Sequence, residues 1–221
     1  MIPLMQRTKF DSELEHLKLD LVKMGDLVIE NIHESFRSFL DMNTELATMI
    51  IEKDKEVNAC EAMIEKECLR IILREQPVAK DLRLITSVLK MITDLERIGD
   101  HAADIAKITV FMETEKQNTK TEDLTEITGK TQDMIRDALE SFTSLDIQLA
   151  KAVIKSDDEV DALFDKVRND VVKAIRMQTM DADYAIYLMM VAKYLERIGD
   201  HAVNIGEWVI FAITGAHNYD I

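Results

Sequence analysis

Apolar side chains return every three or four positions along almost the whole chain, the spacing of one face of an α-helix. Leu14, Leu17, Leu21, Met24, Val28, Ile32 and Phe36 predict a first long helix from about Phe10 to Leu40. Asn43-Thr44 reads as turn and cap. Leu46, Ile50, Val57, Cys60, Ile64 and Ile71 then carry a second helix from about Thr44 to Arg74, closed by Pro77. A third starts near Val78 and runs toward Met112. The run from Glu113 to Asp123 has no apolar residue and cannot anchor itself to a core. A second trio follows, over about Leu124 to Leu145, Ile147 to Gln178, and Asp181 to Thr214, with Gly215 ending the last helix.

The two trios are related. Leu95-Glu96-Arg97-Ile98-Gly99-Asp100-His101-Ala102 returns letter for letter as Leu195-Glu196-Arg197-Ile198-Gly199-Asp200-His201-Ala202, and the segment from Ile51 to Asn58 aligns with that from Ile154 to Asp161. Short turns force neighbouring helices to run antiparallel. The expected fold is therefore all-α, six helices forming two tandem related three-helix bundles. The first covers residues 1–113, a linker 114–123, and the second 124–221. Each half is expected to bury its own core. With 6 Gly, 2 Pro and 5% aromatics, the vocabulary of turns and strands is nearly absent.

Glu96, Asp100 and Asp104 fall one helical turn apart, while Leu95, Ile98, Ala102 and Ile105 gather on the far side. The acidic stripe is expected to face outward. The second copy has Glu196, Asp200 and Asn204, with Glu207 where the first has Lys107. Asp54, Asn58, Glu61 and Glu65 make a narrow face on the second helix, and Asp157, Asp161 and Asp165 a comparable one on the fifth. Antiparallel packing would bring each face beside its Glu-x-x-x-Asp pair. Carboxylate and amide oxygens without sulfur suit hard or borderline cations, among them Mg, Ca, Mn and iron. Solvated faces of an acidic protein are the alternative reading. His101 and His201 lie well around the helix from Glu96 and Glu196, which makes them rim residues that support a site from outside. Arg97 and Arg197 read as surface ion-pair partners. Gly99 and Gly199 sit inside helices at a cost of about 1 kcal/mol each relative to Ala, which points to close approach of a neighbouring helix.

Charge narrows the partners. Twenty-seven Lys and Arg stand against 42 Asp and Glu, a formal charge of -15 that repels nucleic acid and anionic membrane surfaces. The start of the chain lacks a secretory pattern, and no apolar run approaches the roughly 20 residues of a membrane span. The expectation is a cytoplasmic protein without nucleic-acid binding or membrane insertion. Cys60 and Cys68, eight apart on one helix, cannot form a disulfide with each other. Glu13 with His16 and Glu30 with His33 have the Glu-x-x-His spacing of di-iron carboxylate bundles, but both pairs fall on one helix rather than on two that face each other. No phosphate-binding Gly loop, nucleophile elbow or His-Glu-x-x-His motif occurs, so no covalent catalysis is expected.

The paired octapeptide, the Lys-Asp-x-x-Val-Asn near Asp54, and Gln76-Pro77-Val78-Ala79-Lys80-Asp81-Leu82-Arg83 strongly resemble the PhoU family of phosphate-specific transport regulators. The resemblance spans essentially the whole chain. It implies two related three-helix bundles and a non-enzymatic role, damping uptake by a phosphate ABC transporter and helping its sensor kinase switch off the phosphate-starvation response. It also implies iron or zinc clusters, as some members carry, on Glu96 and Asp100 and on Glu196 and Asp200, with Asp104 and Asn204 extending the motif. The partners it implies are the transporter ATPase and the sensor kinase. Symmetry base rates favour a homodimer. A metal-storage or redox bundle is the alternative function.

Overall fold

A computed structural model of the chain describes residues 4–112 and 121–216. Six α-helices make up these residues: α1 Leu4–Asp41, α2 Thr44–Glu75, α3 Ala79–Phe111, α4 Glu122–Ser144, α5 Ile147–Arg176 and α6 Ala182–Thr214. The expected linker lies outside the described residues as far as Lys120, and its last two residues already belong to α4. Their charge explains this. Glu122 and Asp123 sit in the first turn, where carboxylates favour the helix dipole, and Asp123 accepts a hydrogen bond from Lys166 of α5 at 2.6 Å.

The helix ends follow local chemistry. Asn43 caps α2 by accepting from the Leu46 amide at 2.9 Å, and Asp146 caps α5 by accepting from Gln148 and Leu149. Asp181 does the same for α6. Met42 and Leu145, which precede the equivalent caps Asn43 and Asp146, both turn the chain with φ of 55°. Gln76 closes α2 in the left-handed region immediately before Pro77.

Within each trio all three helices pack on one another, so α1–α3 and α4–α6 are the two predicted bundles in the predicted order. The α1 series from Leu14 to Phe36 is buried as its spacing required, and so are Leu95, Ile98, Ala102 and Ile105 of α3. The cores, however, are not separate. One continuous apolar cluster runs from α1 through α6, because α3 packs along α6 and α1 against α4. Gly25 permits the second contact: a Cβ there would lie 2.0 Å from Leu139 Cδ1 of α4. Gln132 adds a hydrogen bond from α4 to the Ile29 carbonyl of α1 at 3.0 Å.

Candidate functional site

Where α2 crosses α3, and again where α5 crosses α6, a carboxylate of the middle helix lies against a glycine of the octapeptide. A Cβ on Gly99 would sit 3.0 Å from Val57 Cγ1 and 3.4 Å from Asp54 Oδ1. On Gly199 it would sit 3.0 Å from Asp157 Oδ1 and 3.4 Å from Val160 Cγ1. Gly99 and Gly199 therefore do admit a neighbouring helix, and what they admit includes the acid itself. The same oxygens, Asp54 Oδ1 and Asp157 Oδ1, are buried and have no hydrogen-bond partner among the described residues. A native fold seldom leaves a buried acceptor unmet, and here it happens at matching positions in both bundles.

The surroundings make these acids reluctant to ionise. Burial and then Asp100 raise the Asp54 carboxyl above its ordinary range. Burial and Asp100 do the same to Glu96, and burial with Glu65 to Glu61. In the second bundle, burial, Asp161 and Asp200 push Asp157 up to about 6, and burial and Glu196 raise Asp200. Desolvation and like charge act together, the pattern that favours uptake of a cation or a proton. The stripes are less open than the sequence suggests. Glu96 and Glu196 retain only 18% and 13% of their side-chain exposure, since α2 and α5 cover them.

Basic side chains already take part of this charge. Arg97 donates to Asp100 at 2.9 Å and approaches Glu96 at 3.5 Å, while Lys193 reaches both oxygens of Glu196 at 2.6 and 2.5 Å. Asn58 donates to Asp54 at 3.3 Å. Among the described residues no group of three or more His, Cys, Asp and Glu is arranged to hold a metal ion. The two faces also differ. Glu61 joins the first, but the corresponding position on α5 is Phe164, with Lys193 over its ring at 5.5 Å.

The outer members of the predicted stripes reach the α3–α6 seam, where Asp104 still helps to raise the Asp54 carboxyl. A four-residue step on a helix overshoots a full turn by about 40°, so Asp104 and Asn204 rotate away from Glu96 and Glu196 toward the α3–α6 seam. Asn204 donates to Asp94 Oδ1 at 3.0 Å, and Lys107 donates to Asp104 at 2.8 Å. His101 and His201 are seam residues at the edge of the acidic faces, where Asp100 acts on His101 and His201 on Asp200. Their rings lie 5.5 Å apart, and His201 Nδ1 is 2.9 Å from Asp94 Oδ1. His101 meets Tyr194 instead, at 5.5 Å between ring centroids, and its buried Nδ1 has no hydrogen-bond partner among the described residues. Burial, then His201, lowers its pKa to about 4, so His101 is neutral at pH 7. Burial and the Asp104 carboxylate hold the Tyr194 hydroxyl protonated.

Asp94, Tyr194, Lys193 and Lys107 were not singled out by spacing. A usable signal was present: the repeat changes at Asp94 and Tyr194, one residue before the two octapeptides, and at Asp104 and Asn204, two residues after them. The Glu-x-x-His pairs of α1 do not join the acidic faces. Glu13 faces Arg70, Glu30 accepts from Lys53, and His16 and His33 are exposed.

Comparison with known proteins agrees with the architecture. The PhoU domain family matches residues 21–109 and 124–209, one stretch in each bundle. The chain is 34% identical over 96% of its length to a phosphate-specific transport system accessory protein PhoU homolog of Clostridium acetobutylicum, covering 97% of that protein. It is 37% identical over 93% of its length to PhoU homolog 1 of Thermotoga maritima, covering 89% of it. The crystal structure of PhoU from Pseudomonas aeruginosa superposes with a TM-score of 0.87 at 34% identity, over 94% of this chain and all of that one. The phosphate transport system regulatory protein PhoU from Streptococcus pneumoniae gives 0.88 at 27% identity, over 96% of this chain and all of that one.

Proposed function

This chain belongs to the PhoU family, and we propose that it is a cytoplasmic adaptor that restrains a phosphate ABC transporter and helps its sensor kinase end the phosphate-starvation response. The observation that carries this reading is the match of both bundles to the family, together with relatives aligned over nearly their whole length. The family is one of regulatory and accessory proteins, and the role proposed here is binding rather than turnover. Among the described residues no helix is long and apolar enough to cross a membrane, so contact with a transporter would be through its parts outside the bilayer.

The acidic faces give that adaptor its adjustable surface. Asp54, Glu96 and Asp100 would hold a cation on the first bundle, and Asp157, Glu196 and Asp200 on the second, with Asn58 and Asp161 beside them. Iron or zinc is the proposed occupant, and Mg, Mn or Ca would also suit oxygen donors. The orphaned oxygens of Asp54 and Asp157 are what the donor set offers in support. A bound cation would supply positive charge to a face that otherwise repels acidic partners. To admit it, Arg97 must swing off Asp100 and Lys193 off Glu196. The di-iron carboxylate arrangement needs Glu-x-x-His pairs on helices that face each other, and both pairs of this chain lie on α1.

Complementation tests the regulatory reading. In a bacterium lacking its own PhoU, expression of this chain should restore low phosphate uptake and a silent starvation response in phosphate-rich medium. An unchanged, constitutive response with the protein present at normal level would refute it.

A further inference from the structure

The two bundles differ most in their first helices, since α1 has 38 residues and α4 has 23. The equivalence of Asn43 with Asp146 and of Met42 with Leu145 sets an offset of 103 residues between the repeats. By that offset α4 begins level with Leu19, and the stretch of α1 before it, including Phe10, Leu14 and Leu17, has no helical counterpart among the described residues. In the first bundle this stretch runs beside α2, where Glu13 lies 3.6 Å from Arg70. Leu14 and Leu17 share the core there with Ile64, Cys68 and Ile71, and Leu17 is fully buried.

The second bundle has a groove of about 400 Å³ at the matching place, walled by Val167, Val171, Ala174, Met177 and Leu188. Val167, Val171 and Ala174 are the counterparts of Ile64, Cys68 and Ile71 by the same offset. Lys173 lines the groove together with Asp170 and Asp123, the latter paired with Lys166, and stands where the first bundle has Arg70. Met177 borders it at 62% exposure, and Val167, Val171 and Leu188 form its depth at 5%, 4% and 2%. The sequence ahead of α4 lacks the apolar residues that α1 carries at the matching positions. The positions corresponding to Phe10, Leu14 and Leu17 are Glu113, Gln117 and Lys120, all polar. A second copy is a poor donor as well, because its own Leu14 and Leu17 are already buried at 8% and 0% exposure and would have to be pulled out.

We propose that this groove is a docking site for an amphipathic helix of a partner protein, seated against α5 and α6 as the start of α1 is seated against α2 and α3. The first bundle specifies the ligand. It presents apolar anchors at i, i+4 and i+7, the spacing of Phe10, Leu14 and Leu17, with a carboxylate just before the middle anchor to meet Lys173 as Glu13 meets Arg70. This inference is independent of the acidic faces and of the regulatory role.

The probe is a fluorescent peptide of residues 9–20 of this chain, carrying a photo-crosslinker in place of Phe10, offered to the full-length protein. It should bind saturably and crosslink to α5 or α6. Ala174→Glu, which puts a charge in the apolar floor, should weaken binding about tenfold or more, and so should Leu14→Ser with Leu17→Ser in the peptide. Met177→Glu, at an exposed rim position, makes the same test should Ala174→Glu fold poorly by helical circular dichroism. Crosslinks confined to α2 and α3 would mean that the peptide displaces α1, and would overturn the proposal. Binding unaffected by either groove variant would also overturn it. So would a concentration-dependent dimer abolished by Met177→Glu, since the occupant would then be a second copy.

Discussion

His201 Nδ1 meets Asp94 Oδ1 at 2.9 Å, a hydrogen bond between the last helices of the two bundles, 107 residues apart in the chain. Asn204 donates to the same oxygen. One carboxylate oxygen thus takes Asn204 Nδ2 as a donor and lies within hydrogen-bond distance of His201 Nδ1. Asp94→Ala should leave two half-buried groups unmet and cost about 1–3 kcal/mol, with helical content unchanged. Urea unfolding measures it, and an unaltered midpoint would show that apolar packing alone holds the seam.

The octapeptide glycines should respond unequally to Ala. On Gly99 the new methyl meets Val57 Cγ1 at 3.0 Å, a group fixed in the core, and overpacking should outweigh the gain in helix propensity by about 1 kcal/mol. On Gly199 it meets the Asp157 carboxylate, the end of a rotatable side chain. Gly199→Ala should change stability less than Gly99→Ala but displace that carboxylate. Thermal melts of the two variants give the comparison, and equal losses would contradict it.

Asp157 supplies a pH dependence whose sign follows from its environment. Its carboxyl titrates near 3.8 when unperturbed and at about 6 in the fold, so the folded chain binds the proton more tightly. The stability this brings is complete below pH 3.8 and is lost as pH rises through about 6. In chelator-treated protein, Asp157→Asn should therefore stabilise at pH 7, by about 1 kcal/mol once solvent screening is allowed for, and have little effect at pH 3.5. A larger gain at the acid end would reverse the assignment.

Metal binding is tested at the aspartates of the two repeats. Asp100→Asn combined with Asp200→Asn keeps shape, removes charge, and should strip bound iron or zinc while leaving the helical signal intact. Arg97→Ala should act in the opposite direction, because it frees Asp100 and Glu96. Metal quantification on protein purified without an affinity tag reads both. Unchanged content in the double variant would dismiss the site.

Much of the fold could be read from spacing, because apolar positions such as Leu17, Leu21 and Met24 answer to one helix at a time. The acidic faces were legible for the same reason: Glu96 and Asp100 share a face of one helix, and Asp54 came from a second that a short turn holds beside it. The seam was not. Whether Asp104 and Asn204 continue a stripe or leave it depends on the drift of about 40° per turn and on what α6 offers opposite. Asp94 has no meaning until α3 and α6 are laid together. Similarly, the repeated halves implied two cores, and the merging of those cores through Gly25 and Leu139 belongs to packing between distant segments.

The third helix of each bundle has 33 residues, a rod of about 50 Å. On α6, Leu188 of the groove and Asp200 of the acidic face are twelve residues apart, about 18 Å along the axis. Both are fixed to the same continuous core, so the separation is set by the helix and not by a hinge. A rigid spacer of that length lets two ligands occupy one molecule without colliding, and holds each at a high effective concentration for the other. A helix seated in the proposed groove and a cation held on the proposed acidic face would then lie about 18 Å apart on one rigid rod.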